Sequence, residues 1–102
     1  MIVRCWTARA TPQGARDYAA FFERALAPKL RELAGHRGSL VLQRENETSV
    51  EILVMTSWES PAAIDAFAGA DREAAVVEPE AAALLLDYDR RVKHYLAAFE
   101  SR

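Results

Sequence analysis

Cysteine is nearly absent from this chain: Cys5 stands alone among 102 residues, so no intramolecular disulfide can form. Histidine is almost as scarce. His36 and His94 are the only two, and no H-x-x-x-H or C-x-x-C spacing offers paired metal ligands. Glycine occurs four times and never in a phosphate-cradling cluster. No serine sits in a nucleophile-elbow pattern, and Cys5 lies early in a strand-like stretch, so nucleophilic catalysis has no sequence signature. Positive charge is not in excess either: Lys plus Arg number 13 against 15 Asp plus Glu, a formal net charge of -2 that provides no field for nucleic acid. No apolar run approaches the ~20 residues of a membrane-spanning helix, and no opening segment has the order of a signal peptide. These absences predict a soluble, cytoplasmic protein with no metal, no nucleic-acid partner and no membrane partner.

What the chain has is apolar residues, 51% of the total, in patterns that specify one domain spanning residues 1–102. The organising stretch is Val50 to Trp58. Its β-branched and large apolar residues follow a polar turn, Glu45 to Thr48, and read as a strand. Alternation sends Ile52, Val54, Thr56 and Trp58 to one face and Leu53, Met55 and Ser57 to the other. Both faces are largely apolar, so both need cover. Ile2 to Ala8 predicts a first strand and Leu40 to Arg44 a second, pairing with Val50 to Trp58 as an antiparallel hairpin. Arg91 to Leu96 predicts the last strand.

Thr11-Pro12 and Ser60-Pro61 each supply an N-cap followed by a proline suited to the first helical turn. The first helix presents Tyr18, Phe22, Ala25 and Leu26 as an apolar stripe, and Pro28 predicts a kink or break, with a continuation ended by Gly35 or Gly38. The second runs from Pro61 to Gly69 and turns Ile64 and Phe67 inward. Glu78-Pro79-Glu80 predicts a third, running into Leu84 to Leu86. Asp71 to Val77 fits no single element.

The order strand, helix, strand, strand, helices, strand is that of an α+β domain with a ferredoxin-like split βαβ arrangement: a four-stranded antiparallel sheet with helices on one face. The other face would expose an apolar patch, which a second copy could cover by a two-fold contact, giving a homodimer.

The opening Met1 to Trp6, the block Trp58-Glu59-Ser60 with Ala63-Ile64 and Phe67 to Asp71, then Val77 to Glu80 and Val92 to Tyr95 resemble the antibiotic biosynthesis monooxygenase family of the dimeric α+β barrel superfamily. The resemblance implies two such sheets pairing into a barrel, and an oxygenase that acts without cofactor on a hydrophobic aromatic or quinol-type molecule held between sheet and helices. Haem-degrading relatives place a tryptophan after the third strand, where Trp58 stands, an asparagine on the first strand, where Arg4 and Trp6 stand, and an axial histidine on the following helix. No histidine occurs between Glu59 and Lys93, which disfavours haem.

On this basis the catalytic candidates are His94, Trp58 and Arg4. His94 could act as a general base, or simply be a satisfied sheet histidine. Trp58 could wall a pocket or fill the core. Arg4 could hold an oxyanion or form an ion pair at the dimer contact. Trp6, Phe67, Tyr95 and Tyr18 are the substrate-binding candidates, with plain packing as the alternative for each. A non-catalytic dimeric module binding a small apolar ligand is the rival reading. What separates the two is whether Trp58, His94 and Arg4 reach one cavity.

Overall fold

A computed structural model describes residues 1–101. Strand β1 (Ile2–Ala10) leads into helix α1 (Pro12–Phe21), which Thr11 caps by accepting the Gly14 N–H at 3.0 Å. The helical run does not break at Pro28. It passes through a π-helical turn over Phe22–Leu26, closed by a bond from the Ala27 N–H to the Phe22 carbonyl, and continues as α2 (Ala27–Arg31). Proline lacks an N–H, and its ring clashes with the carbonyl four residues back in a regular helix. The wider turn just upstream gives the ring room and replaces the expected kink. Gly35, at φ +88°, then turns the chain into β2 (His36–Glu45), while Gly38 lies within that strand.

Strands β2 and β3 (Val50–Trp58) form the expected hairpin, and β3 pairs with β1 along its whole length. Ser60 caps α3 (Pro61–Ala68) through the Ala63 N–H, and Gly69 at φ +83° ends it. The expected helix over 78–86 is cut to α4 (Pro79–Ala82). The Leu86 N–H is taken instead by the Arg9 carbonyl at 2.8 Å, which draws the chain into the sheet.

The free edge of β1 is filled by two short strands in succession: β4 (Asp87–Tyr88) opposite Ala8 and Arg9, and β5 (Lys93–Leu96) opposite Ile2 to Cys5. The last strand is therefore shorter than the alternation from Arg91 predicted. Val92 turns into the core and its N–H bonds the Glu73 carbonyl, while Arg91 bridges Ala74, so both residues pair with the 69–78 loop rather than with β1. The result is an α+β domain with an antiparallel sheet of four columns, the fourth interrupted.

Helices cover one face only. Arg4, Trp6, Ala8, Ala10, Ile52, Val54, Thr56 and Trp58 are buried beneath them. On the opposite face Cys5, Leu53 and Met55 are half-buried, and Leu40 and Leu42 are 56% and 42% exposed. None of the helices among the described residues is long and apolar enough to cross a membrane.

Candidate functional site

Between the sheet and the helices lies a cavity of about 280 Å³, walled by Trp6 from β1, Tyr18 and Phe21 from α1, Phe67 from α3, and Val76 and Val77 from the 69–78 loop. A narrow inner lobe of about 40 Å³ adjoins it and shares Trp6, Tyr18, Phe67 and Val76. Arg4 and Thr56 lie in the wall of that lobe. At the mouth, Lys29 Nζ and Glu78 Oε1 form an ion pair at 3.0 Å.

The sheet register puts Arg4, Trp6 and Tyr18 together. Arg4 and Trp6 share the helix-covered face of β1, and Tyr18 descends from α1 onto the Trp6 ring, centroids 5.9 Å apart. The Trp6 indole is fixed by its Nε1–H, which donates to the Asp89 carbonyl at 2.9 Å. Tyr18 is buried, and desolvation holds its phenol well above the ordinary tyrosine range, so it stays protonated. Its hydroxyl makes no hydrogen bond to any described residue and is not fully enclosed, since every fully buried side-chain oxygen there has a partner.

Arg4 is 4% exposed and forms no ion pair among the described residues. It donates to the carbonyls of Arg72 at 2.6 Å and Ala74 at 2.8 Å, contacts His94 Nε2 at 3.1 Å, and lies 5.6 Å from the centre of the Phe67 ring. A buried cation held by neutral acceptors and an aromatic face carries charge that no protein anion cancels. Burial accordingly pushes the Arg4 pKa down from its ordinary value. Three of its five N–H donors are used in these bonds.

A guanidinium can only donate, so His94 Nε2 must accept, and the imidazole is neutral with its proton on Nδ1. Burial lowers the His94 pKa first, and the Arg4 charge lowers it further. His94 itself does not line the aromatic cavity. It faces a separate open cleft with Asp71, Arg72 and Glu73. Among the described residues no three His, Cys, Asp or Glu side chains gather closely enough to hold a metal ion.

Trp58 is 0% exposed and lies behind Phe67, stacked at 5.8 Å, with its Nε1–H donated to Thr56 Oγ1 at 2.9 Å. It touches the cavity wall rather than the cavity. Tyr95 is 54% exposed on β5, away from the site. Of the seven candidates, the structure brings Arg4, Trp6, Tyr18 and Phe67 to one cavity and keeps Trp58, His94 and Tyr95 out of it. Thr56 joins them from the strand face that alternation assigned it, whereas Val76 and the Lys29 to Glu78 pair have no local sequence signal, because they meet the site only through tertiary contacts.

No family model and no curated protein matches the sequence. Among solved structures the chain is similar to a Deinococcus radiodurans protein provisionally named an antibiotic biosynthesis monooxygenase. The two are 16% identical with a TM-score of 0.66, over 100% of this chain and 97% of that one. Identity that low speaks for the fold alone: the chain has the ferredoxin-like α+β fold that its sequence resemblance to the antibiotic biosynthesis monooxygenases implied.

Proposed function

We propose that the chain binds a hydrophobic phenol or quinol in the cavity between sheet and helices and acts on it as a small oxygenase without cofactor. The observation that carries this reading is Arg4: a buried, unpaired guanidinium at the inner end of an aromatic-lined cavity suits a ligand that is apolar in body and anionic at one oxygen. Tyr18 supplies a second donor to that oxygen. A phenolate is electron-rich enough to reduce oxygen itself. A phenol C₆H₆O plus O₂ gives a quinone C₆H₄O₂ plus H₂O, the substrate supplying all the electrons. His94 would contribute indirectly, by holding the Arg4 guanidinium in place.

One specific observation favours the rival reading of a non-catalytic binding module. Trp58 and His94 do not join Arg4 in the cavity, and Glu78 at its mouth is paired with Lys29, so among the described residues no uncommitted general base lines it. We also propose a homodimer through the helix-free face of the sheet, supported by the exposed Leu40 and Leu42 beside Leu53 and Met55.

Tryptophan emission tests the cavity. Because Trp6 lines it and Trp58 does not, quenching by a bound naphthoquinol should be lost in Trp6→Phe and kept in Trp58→Phe, the reverse of what the corner position of Trp58 suggests in sequence. Oxygen uptake then separates the two readings. Quenching with uptake that falls in Arg4→Met supports the oxygenase, quenching without uptake supports the binding module, and neither across a range of phenols and quinols defeats both.

A further inference from the structure

A second site lies beyond Phe22, in an open groove of about 530 Å³ between the helical run and the outer edge of β2. His36 and Ser39 line it, and His36 Nε2 lies 3.0 Å from Ser39 Oγ. On a regular strand, residues three apart face opposite ways. Here a β-bulge between His36 and Gly38 absorbs Arg37, so that His36 stands opposite Trp58 and Ser39 opposite Thr56. Trp58 and Thr56 share a face, so the bulge brings the imidazole and the hydroxyl onto the same side of the sheet. That side is the helix-covered one, away from the proposed dimer contact.

The imidazole is also oriented. Its ring packs edge-on against Trp58, centroids 5.2 Å apart at 72°. Burial, and more weakly the nearby Arg31, pull the His36 pKa below its ordinary value despite an opposing hydrogen bond to the Gly38 backbone, which leaves a free base at neutral pH. Arg31, also in the groove wall, forms no ion pair among the described residues. A hydroxyl within hydrogen-bond reach of an oriented, unprotonated imidazole is the nucleophile and base pairing that activates a serine, and Arg31 adds a positive charge to the same groove.

We propose that this groove is an acyl-transfer site for small carboxylic esters, with Ser39 as nucleophile, His36 as general base and Arg31 supplying positive charge to the developing oxyanion. Ser39 Oγ bonds to the acyl carbon while its proton passes to His36 Nε2. The ester C–O bond then breaks, and the departing alkoxide takes that proton as the alcohol. Water repeats the sequence on the acyl-serine, its proton moving through Nε2 to Ser39 Oγ as the carboxylic acid leaves. Nothing is oxidised or reduced.

The test treats the intact chain with a fluorophosphonate, which phosphonylates an activated serine with loss of fluoride, and follows hydrolysis of 4-nitrophenyl acetate. One label should map to Ser39, vanish in Ser39→Ala, and form about 10²-fold more slowly in His36→Gln. The rate should rise with pH through a single ionisation below about 6.5, the ordinary histidine value. Because His36→Gln also disturbs Trp58 packing, Arg31→Gln serves as a second variant at an exposed position. It should slow ester hydrolysis about 10-fold, less than the 10²–10³ of an enclosed oxyanion donor, because the groove is open to water. A label elsewhere, no label, or an unchanged rate in a folded His36→Gln chain overturns the proposal.

Discussion

Replacing Arg4 by methionine tests the tether and the cavity charge together. In the native chain the guanidinium bonds the Arg72 and Ala74 carbonyls and His94 Nε2, tying the 69–78 loop and β5 to the sheet. Hydrogen bonds from a charged donor contribute about 1.5–3 kcal/mol each, so three represent roughly 5–9 kcal/mol gross. Against this, a buried cation without a counter-ion costs several kcal/mol in lost hydration, which methionine removes while keeping a similar shape. Water can also reach the carbonyl side of the loop, where Arg72 is exposed. The net loss should be about 2–4 kcal/mol, which for a chain of this size lowers Tm by about 10–20 °C. Thermal unfolding followed by circular dichroism reads the first quantity. The second readout is specific to the contact: with the Arg4 charge gone, one cause of the depressed His94 pKa disappears, and its titration by NMR should move up toward 6.5 while His36 stays where it is. A Tm within 2–3 °C of the native chain would show that the tether contributes nothing net. An unmoved His94 titration would refute the pairing itself.

Acid should destabilise the protein earlier than its carboxylates require. The folded pKa values of both His36 and His94 are depressed, mainly by burial, so the unfolded chain binds their protons more readily. The stability this gives is complete above about 6.5 and is lost as pH falls through the folded values, so Tm should decline from pH 7 to 5.5, and a flat or rising Tm there would contradict the burial of both rings. Leu53→Lys places a charge in the middle of the helix-free face, beside Thr7 of β1 and Leu42 of β2. If that face is the homodimer contact, an unpaired buried charge costs several kcal/mol, and sedimentation at micromolar concentration should shift from a dimer to an 11.4 kDa species. A native chain that already sediments at 11.4 kDa removes the dimer from the proposal.

Much of the fold was legible in the residues because local rules were obeyed. Alternation in Val50 to Trp58 gave the correct two faces, and the Thr11 and Ser60 caps with their following prolines marked two helix starts. Gly35 and Gly69 marked helix ends because only glycine takes a positive φ without strain. Where the pattern failed, a long-range contact had overridden a local preference. Val92 has strand character but is claimed by the Glu73 carbonyl, and Leu86 leaves its helical stretch for the Arg9 carbonyl. Pro28 did announce a disturbance, but whether the helix would kink, break or widen depends on what packs around it.

The candidate site divides the same way. That Arg4 and Trp6 share a face follows from the strand period, and that Tyr18 and Phe67 point inward follows from helical spacing, so all four could be named from the sequence. Which tryptophan meets the cavity could not, because the corner position of Trp58 is compatible with either side of the Phe67 ring. The partners of Arg4 lie 68 to 90 residues away, and the His36 to Ser39 contact depends on one bulged residue that reverses the expected parity. Periodicity assigns a side chain to a face. Only the packing of the 69–78 loop, the bulge in β2 and the folded-in Phe67 decided which of those side chains share a cavity, since that depends on distances between segments that no local pattern encodes.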